Sequence, residues 1–217
     1  MLASGGMSGG LSSSIAGGKF VDGFRQGIIT TGLNHLASHF SKVIVKGSMK
    51  KQLNEFRPGY ADEKAVKSIK HVKEVISASR ELTRLDKAAP SGHEFILVDA
   101  RPRENGMEVL GETSGVKPTF NTNLYNGAFG LENSGRPASN LDLAFTIGHE
   151  LNHVAHFHNA SYQRWANEHK NYLLAAHDIS EVFAGRWESS WGNTDAYSYY
   201  GFYLERAQSH GIKFSKF

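Results

Sequence analysis

A short His-Glu-x-x-His segment contains the residues of this sequence best suited to chemistry. It runs from His149 through Glu150 to His153. On a helix, positions four residues apart lie one above the other, so both imidazoles can hold one metal ion. Glu150 projects about 100° around the helix from His149, where its carboxylate can take a proton from a water on the metal without binding the metal itself. The segment therefore predicts a metal centre with a general base beside it, an arrangement suited to hydrolysis.

The composition restricts the ligands that such a centre can use. The chain has 217 residues, 11 histidines and no cysteine. The lack of cysteine excludes disulfides, thiolate metal ligands, iron–sulfur clusters and a cysteine nucleophile. A transition-metal site must therefore combine histidine nitrogens with carboxylate oxygens. Because hydrolytic zinc enzymes use ligands of this type, we expect Zn²⁺.

The residues around the motif favour the helix that this chemistry requires. Ser139 or Asn140 can cap the N-terminus, and Asp142 suits the first turn, where a negative charge is favourable. Apolar residues form a face roughly opposite the two histidines: Leu141, Ala144, Ile147, Leu151 and Ala155. We predict a helix at about 140–158, with one side packed and the other holding the metal.

The motif and its flanks resemble the extended signature of the zincins, a superfamily of metallopeptidases. The matching flanking positions are Thr146, Leu151, Asn152 and Val154. The resemblance implies a zinc metallopeptidase in which His149 and His153 bind Zn²⁺. The resemblance also implies that Glu150 acts as general base and then as general acid, with a protein or peptide as the substrate.

The third metal ligand has to come from outside the motif. In the metzincin pattern the motif continues His-x-x-Gly-x-x-His, but the glycine and histidine positions hold His156 and Asn159 here. The segment from Ser180 to Ala184 instead resembles the Glu-x-x-Ala helix of the gluzincins. This resemblance makes Glu181, 28 residues after His153, the predicted third ligand.

Other candidates for the third ligand remain open. Asp195 lies in a Gly-Asn-Thr-Asp segment that loosely resembles the aspzincin element, although its Tyr-Gly pair comes two residues too late. Three histidines are further alternatives: His156, His169 and His177. Of these, His156 returns to nearly the same helix face as His149, so it can also flank the site.

The rest of the chain predicts an α+β fold with the sheet upstream of the helices. A helical apolar period covers 65–85, and the predicted extended segments are 94–98, 107–110 and 119–125. No proline follows Pro137, and the predicted helices there are 140–158, 161–176, 178–189 and 194–209. By analogy with the zincins, we expect a small sheet with an edge strand over the active-site helix, followed by an all-helical C-terminal half. Thr119 to Tyr125 would be that edge strand, which in zincins pairs with the peptide substrate.

The first 45 residues differ from the remainder in composition. Nine of the 23 glycines lie within the first 32 residues, among serines, so we predict a linker at 1–45 and a metallopeptidase domain at 46–217. The segment resembles the pretoxin stretch of Rhs-type polymorphic toxins. The resemblance implies that the domain is the C-terminal toxin of a bacterial effector, delivered into a target cell and paired with a cognate immunity protein. Met1 to Lys19 lacks the basic and apolar regions of a signal peptide.

Two other functions remain as alternatives. One is a non-catalytic binding module in which a metal holds helices together. The other is a metal-dependent nuclease toxin, suggested by the histidines and by a basic face at 64–80. A formal net charge of +3 is too small to argue for a nucleic-acid partner, and no apolar run reaches the roughly 18 residues of a membrane span.

Overall fold

The computed structural model describes residues 46–98, 110–121, 125, 137–194 and 196–214. Its helices are α1 (Met49–Phe56), α2 (Ile69–Ser77), α3 (Arg80–Ala88), α4 (Asn140–His158), α5 (Ser161–Glu168), α6 (Ala175–Ser190) and α7 (Ala196–Ser209). A 3₁₀ turn covers Tyr60–Asp62, and the strands are β1 (Ile96–Val98), β2 (Gly111–Ser114) and β3 (Lys117–Asn121). The fold is α+β, with a small sheet and mostly helices, as the sequence predicts. The predicted linker at 1–45 lies outside the described residues.

The single helix predicted at 65–85 is wrong, because the structure has two helices there. Ser68 caps α2 by accepting a hydrogen bond from the backbone N–H of His71. Ser79 caps α3 in the same way, accepting from the backbone N–H of Leu82. The extended backbone of an N-cap residue cannot continue a preceding helix, so the chain turns at Ser79 although the apolar spacing runs on. Helix α1 was not predicted from the sequence.

The sheet corrects the predicted position of the edge strand. Its order is β1-β3-β2, so β3, which contains Thr119, lies in the centre, parallel to β1 and antiparallel to β2. The edge strand beside α4 is β2. Alternating polarity reports which faces of a strand are buried, but it does not report how many neighbours the strand has. Most of the strand predicted at 107–110 lies outside the described residues, and β2 begins directly after it at Gly111.

Helix α4 has the predicted bounds and the predicted cap. The Ser139 side chain accepts from the backbone N–H of Asp142, and the Asp142 carboxylate accepts from the backbone N–H of Ser139. These reciprocal bonds form a capping box, which fixes where the helix starts. Because α4 packs against helices on several sides and against β2 and β3, it is buried nearly all round, not on one face only.

The C-terminal half is all-helical, as predicted, with shifted boundaries. The helix predicted at 161–176 ends at Glu168, and the helix predicted at 178–189 begins earlier, at Ala175. The last helix, predicted at 194–209, is α7. Within the residues that the structure describes, no helix is long and apolar enough to cross a membrane.

A glycine allows α4 and α6 to approach closely. A Cβ atom added at Gly148 would lie 1.8 Å from the ring of Trp187 on α6, so only glycine fits this position. The indole N–H of Trp187 donates to Glu81 on α3 at 2.9 Å. Trp187 therefore fixes α6 between α3 and the motif helix, directly beside His149.

Candidate metal centre

The predicted ligands meet between α4 and α6. The Nε2 atom of His149 lies 3.3 Å from Oε2 of Glu181, and the Nε2 atom of His153 lies 3.3 Å from Oε1 of the same carboxylate. All three side chains are buried, with residue exposures of 7%, 8% and 8%. Among the residues that the structure describes, they are the one group of three metal-ligating side chains whose ligand atoms lie within 4.8 Å of one another.

The two nitrogen–oxygen distances of 3.3 Å are close to those between the ligands of a metal ion. A tetrahedral ion with bonds of about 2.0–2.2 Å to nitrogen and oxygen holds its ligand atoms about 3.3–3.6 Å apart. In addition, Oε2 of Glu181 is buried and makes no hydrogen bond of good geometry with the described residues, although Nε2 of His149 lies 3.3 Å away. A buried carboxylate oxygen without a donor is unfavourable unless a cation approaches it. The triad can therefore hold a metal ion, and its occupancy remains a prediction.

Glu188 orients the first histidine. The Nδ1 atom of His149 donates to Oε1 of Glu188 at 2.6 Å, and the second oxygen of Glu188 accepts from the side-chain amide of Asn193. With its proton on Nδ1, the ring presents the lone pair of Nε2 towards Glu181. Sequence reasoning missed Glu188, although it lies seven residues after Glu181 and so on the same helix face.

The charges around His149 also favour a cation. Burial opposes a charge on this ring, but the carboxylates of Glu181 and Glu188 outweigh burial and raise the pKa of His149 well above its usual value. In turn, burial works against ionisation of Glu181, and the neighbouring His153 and His149 lower its pKa well below the usual range. Without a metal the charged His149 ring is the positive partner of these carboxylates, and a metal ion bound at Nε2 would take the place of that ring proton.

Ser180 contacts the second histidine and a third one. Its Oγ lies 2.7 Å from Nδ1 of His153 and 2.8 Å from Nδ1 of His156. Burial, followed by the nearby His153 and His149, lowers the pKa of His156 to about 3, so this ring is neutral at ordinary pH. Ser180 was also missed, although it directly precedes Glu181 in the sequence.

Glu150 lies outside the ligand group and is held by the edge strand. Its Oε2 accepts a hydrogen bond from the Thr113 hydroxyl of β2 at 2.7 Å. A Cβ atom at Gly111 would lie 2.6 Å from Oε1, so the strand approaches this carboxylate closely. Glu150 is 4% exposed, and burial raises its pKa. A carboxyl group with a raised pKa is suited to accepting and returning a proton.

The other candidate ligands have different outcomes. Asp195 lies outside the described residues. His156 contacts Ser180, while His177 has its Nε2 atom 3.6 Å from Oε1 of Glu181, and neither joins the ligand group. His169 follows the C-terminus of α5 and is also outside the group.

Comparisons with protein-family models, with curated proteins and with solved structures give no match to this chain.

Proposed function

We propose that this chain is a zinc-dependent metallopeptidase of the gluzincin-like kind. One observation carries the proposal: Nε2 atoms of His149 and His153 lie 3.3 Å from the Glu181 carboxylate, with Glu150 buried on the next position of the same helix. Two imidazoles and one carboxylate are a common ligand set of catalytic zinc, which keeps its fourth position for water or substrate.

The residues then have distinct roles. His149, His153 and Glu181 would hold Zn²⁺, which, when bound, lowers the pKa of a water molecule and polarises the carbonyl of the scissile bond. Glu150 accepts the proton of the attacking water and passes it to the leaving amine. The Thr113 hydroxyl holds the Glu150 carboxylate in place, and burial keeps its pKa raised for this exchange.

The edge strand supports a peptide as the substrate. Strand β2 has β3 on one side and no strand on the other among the described residues. Thr113 and Gly111 of this strand contact Glu150, so an extended peptide paired with β2 would run past the general base. Main-chain hydrogen bonds would then supply affinity that depends little on side chains.

We extend the proposal to the biological context that the N-terminal resemblance implies. The domain would be the C-terminal toxin of an Rhs-type effector, delivered into a target cell and inhibited by an immunity protein. Expression in bacteria should then be toxic for the wild type and harmless for Glu150→Gln. Equal growth of the two strains, at equal protein levels, would contradict the toxin proposal.

One observation favours a non-catalytic alternative. His177 has its Nε2 atom 3.6 Å from Oε1 of Glu181, so a small shift would add a fourth protein ligand and close the site. A zinc site with four protein ligands is typically structural, whereas a site with three protein ligands and a position for water is typically catalytic. The His177→Ala variant separates the two, because it loosens zinc binding and leaves a vacant position only if His177 is a ligand.

Peptide cleavage tests the catalytic proposal. Zinc-loaded wild type and Glu150→Gln are incubated with a peptide library, and new termini are identified by mass spectrometry. The wild type should cleave and Glu150→Gln should not, while both bind one zinc ion. Cleavage by Glu150→Gln at the wild-type rate would overturn the mechanism, and nicking of plasmid DNA by both proteins would indicate the nuclease alternative.

A further inference from the structure

Ser180 lies between two imidazoles and is shielded from water. Its Oγ is 2.7 Å from Nδ1 of His153 and 2.8 Å from Nδ1 of His156, and the residue is 2% exposed. In the part of the chain that the structure describes, the hydroxyl contacts no other hydrogen-bond partner. Its single proton must therefore point to one of these two nitrogens.

The number of protons on each ring determines which nitrogen accepts the proton of the Ser180 hydroxyl. A neutral imidazole carries one proton, so His153 can offer Nε2 to a metal only when its proton is on Nδ1. That N–H donates to Ser180, and the hydroxyl proton is then directed to Nδ1 of His156. Because Nδ1 of His156 accepts, the proton of this ring is on Nε2.

Aromatic side chains hold His156 at the end of this chain of hydrogen bonds. Its ring packs edge-on against Trp165 of α5, with 5.0 Å between centroids, and against Phe183 of α6, at 6.0 Å. Trp165 and Phe183 are themselves stacked at 5.5 Å. The ring of His156 is therefore fixed with Nδ1 facing the serine.

We propose that Ser180 and His156 are positioning residues that hold His153 in its metal-binding tautomer. The inference rests on metal binding at the proposed site. Without the acceptor at His156, the Ser180 hydroxyl would gain by donating to Nδ1 of His153 instead. The proton of His153 would then be on Nε2, the atom that has to bind the metal. We call the two hydrogen bonds from His153 to Ser180 and from Ser180 to His156 the relay. The relay keeps Nε2 of His153 free with a neutral partner, whereas His149 uses the charged Glu188.

Nitrogen NMR tests the proton positions directly. Long-range ¹H–¹⁵N correlation spectra of the zinc-loaded full chain, labelled at histidine, distinguish protonated from unprotonated ring nitrogens. We expect His156 to carry its proton on Nε2 and to have an unprotonated Nδ1. A proton on Nδ1 of His156 would overturn the proposal.

Zinc affinity, measured by competition with a chromophoric chelator, tests the consequence. Ser180→Ala should bind zinc roughly 10- to 100-fold more weakly, as is usual when the partner of a metal-bound histidine is lost. His156→Phe keeps an aromatic ring but lacks the acceptor, and should lose on the order of 3- to 10-fold, the equivalent of one neutral hydrogen bond. His156→Asn, whose amide oxygen can replace Nδ1, should bind zinc nearly as tightly as the wild type.

Matched controls separate this loss from a general loss of stability. Ser190→Ala removes another buried hydroxyl of α6 that donates only to the backbone carbonyl of Trp187, and it should leave zinc affinity unchanged. Wild-type zinc affinity in folded His156→Phe would overturn the relay, whatever the activity. Tight zinc binding that depends on Ser180, without any peptide cleavage, would contradict the peptidase proposal and leave the relay intact.

Discussion

The Glu188 carboxylate accepts a hydrogen bond from Nδ1 of His149 at 2.6 Å, and this bond turns Nε2 of the ring towards Glu181. The carboxylate is itself held by Asn193. A metal-bound histidine commonly has such a partner, which fixes the ring and increases its basicity. The tightness of the metal site should therefore depend on a residue that does not touch the metal.

Replacing Glu188 should weaken zinc binding. We expect Glu188→Ala to lose roughly 10- to 100-fold in zinc affinity, because His149 loses both its orienting acceptor and the nearby negative charge. Glu188→Gln keeps an acceptor for Nδ1 and should lose less. Titration against a competing chelator measures both. An affinity for Glu188→Ala equal to that of the wild type would show that this bond does not orient the ligand.

A methyl group on the edge strand should impair catalysis without removing the metal. The added Cβ in Gly111→Ala would lie 2.6 Å from Oε1 of Glu150, so the carboxylate has to move. We expect kcat to fall by at least about tenfold, since a displaced general base loses most of its contribution of roughly 10²–10⁴. Zinc content should stay at one per chain. Ser114→Ala, on the same strand with an exposed side chain, is the control and should keep wild-type kcat.

Filling the contact between α4 and α6 should destabilise the fold. In Gly148→Ala the new methyl group would overlap the ring of Trp187, which the bond to Glu81 holds in place. Overpacking of this kind costs about 1–3 kcal/mol in the free energy of unfolding. Urea unfolding of the metal-free protein measures this cost. Trp187→Leu makes room for the methyl group, so the double variant should lose less than the sum of the two single variants.

The ion pair between Asp178 and Arg206 should make stability depend on acid pH. Burial opposes ionisation of Asp178, but hydrogen bonds from Arg206, His177 and Tyr172 outweigh it and lower the pKa of Asp178 to about 2. The pKa of an aspartate in the unfolded chain is about 3.9, so the folded state binds this proton less readily. The carboxylate therefore stabilises the fold above about pH 4, and this contribution is lost as the pH falls through 2.

Comparison with Asp178→Asn isolates this contribution. For the metal-free proteins, the difference in free energy of unfolding between wild type and Asp178→Asn should be constant above about pH 5. Below pH 5 it should shrink by roughly 2.6 kcal/mol in all, the equivalent of the pKa difference. A difference that does not change between pH 5 and pH 2 would contradict the assignment.

Local signals in the sequence account for the parts of the fold that were predicted. The bounds of α4 follow from Ser139 and Asp142, whose capping box acts within one turn. The histidine spacing places both imidazoles on one face, and the resemblance of the Glu181 segment to a known ligand helix identified the third member of the group. Each of these signals is local, because it comes from residues close together in the chain.

The predictions that were wrong, and the contacts that were not predicted, have a different physical origin. The break at Ser79 was hidden because the apolar period continues across it while a hydroxyl group ends the helix. The central position of β3 depends on β1, more than twenty residues earlier, and the alternation of a strand contains no information about its neighbours. The contacts of Ser180, Glu188 and Thr113 form only when α6 and β2 pack against α4, so one-dimensional patterns do not reveal them.

The proposed metal site uses His149, His153 and Glu181 as its ligand set. Metal analysis by mass spectrometry, on wild type beside Glu181→Ala and Asp195→Ala, tests it most directly. We predict one zinc per chain in the wild type, loss of that zinc in Glu181→Ala, and full retention in Asp195→Ala. Full zinc content in Glu181→Ala, with loss in Asp195→Ala, would contradict this assignment.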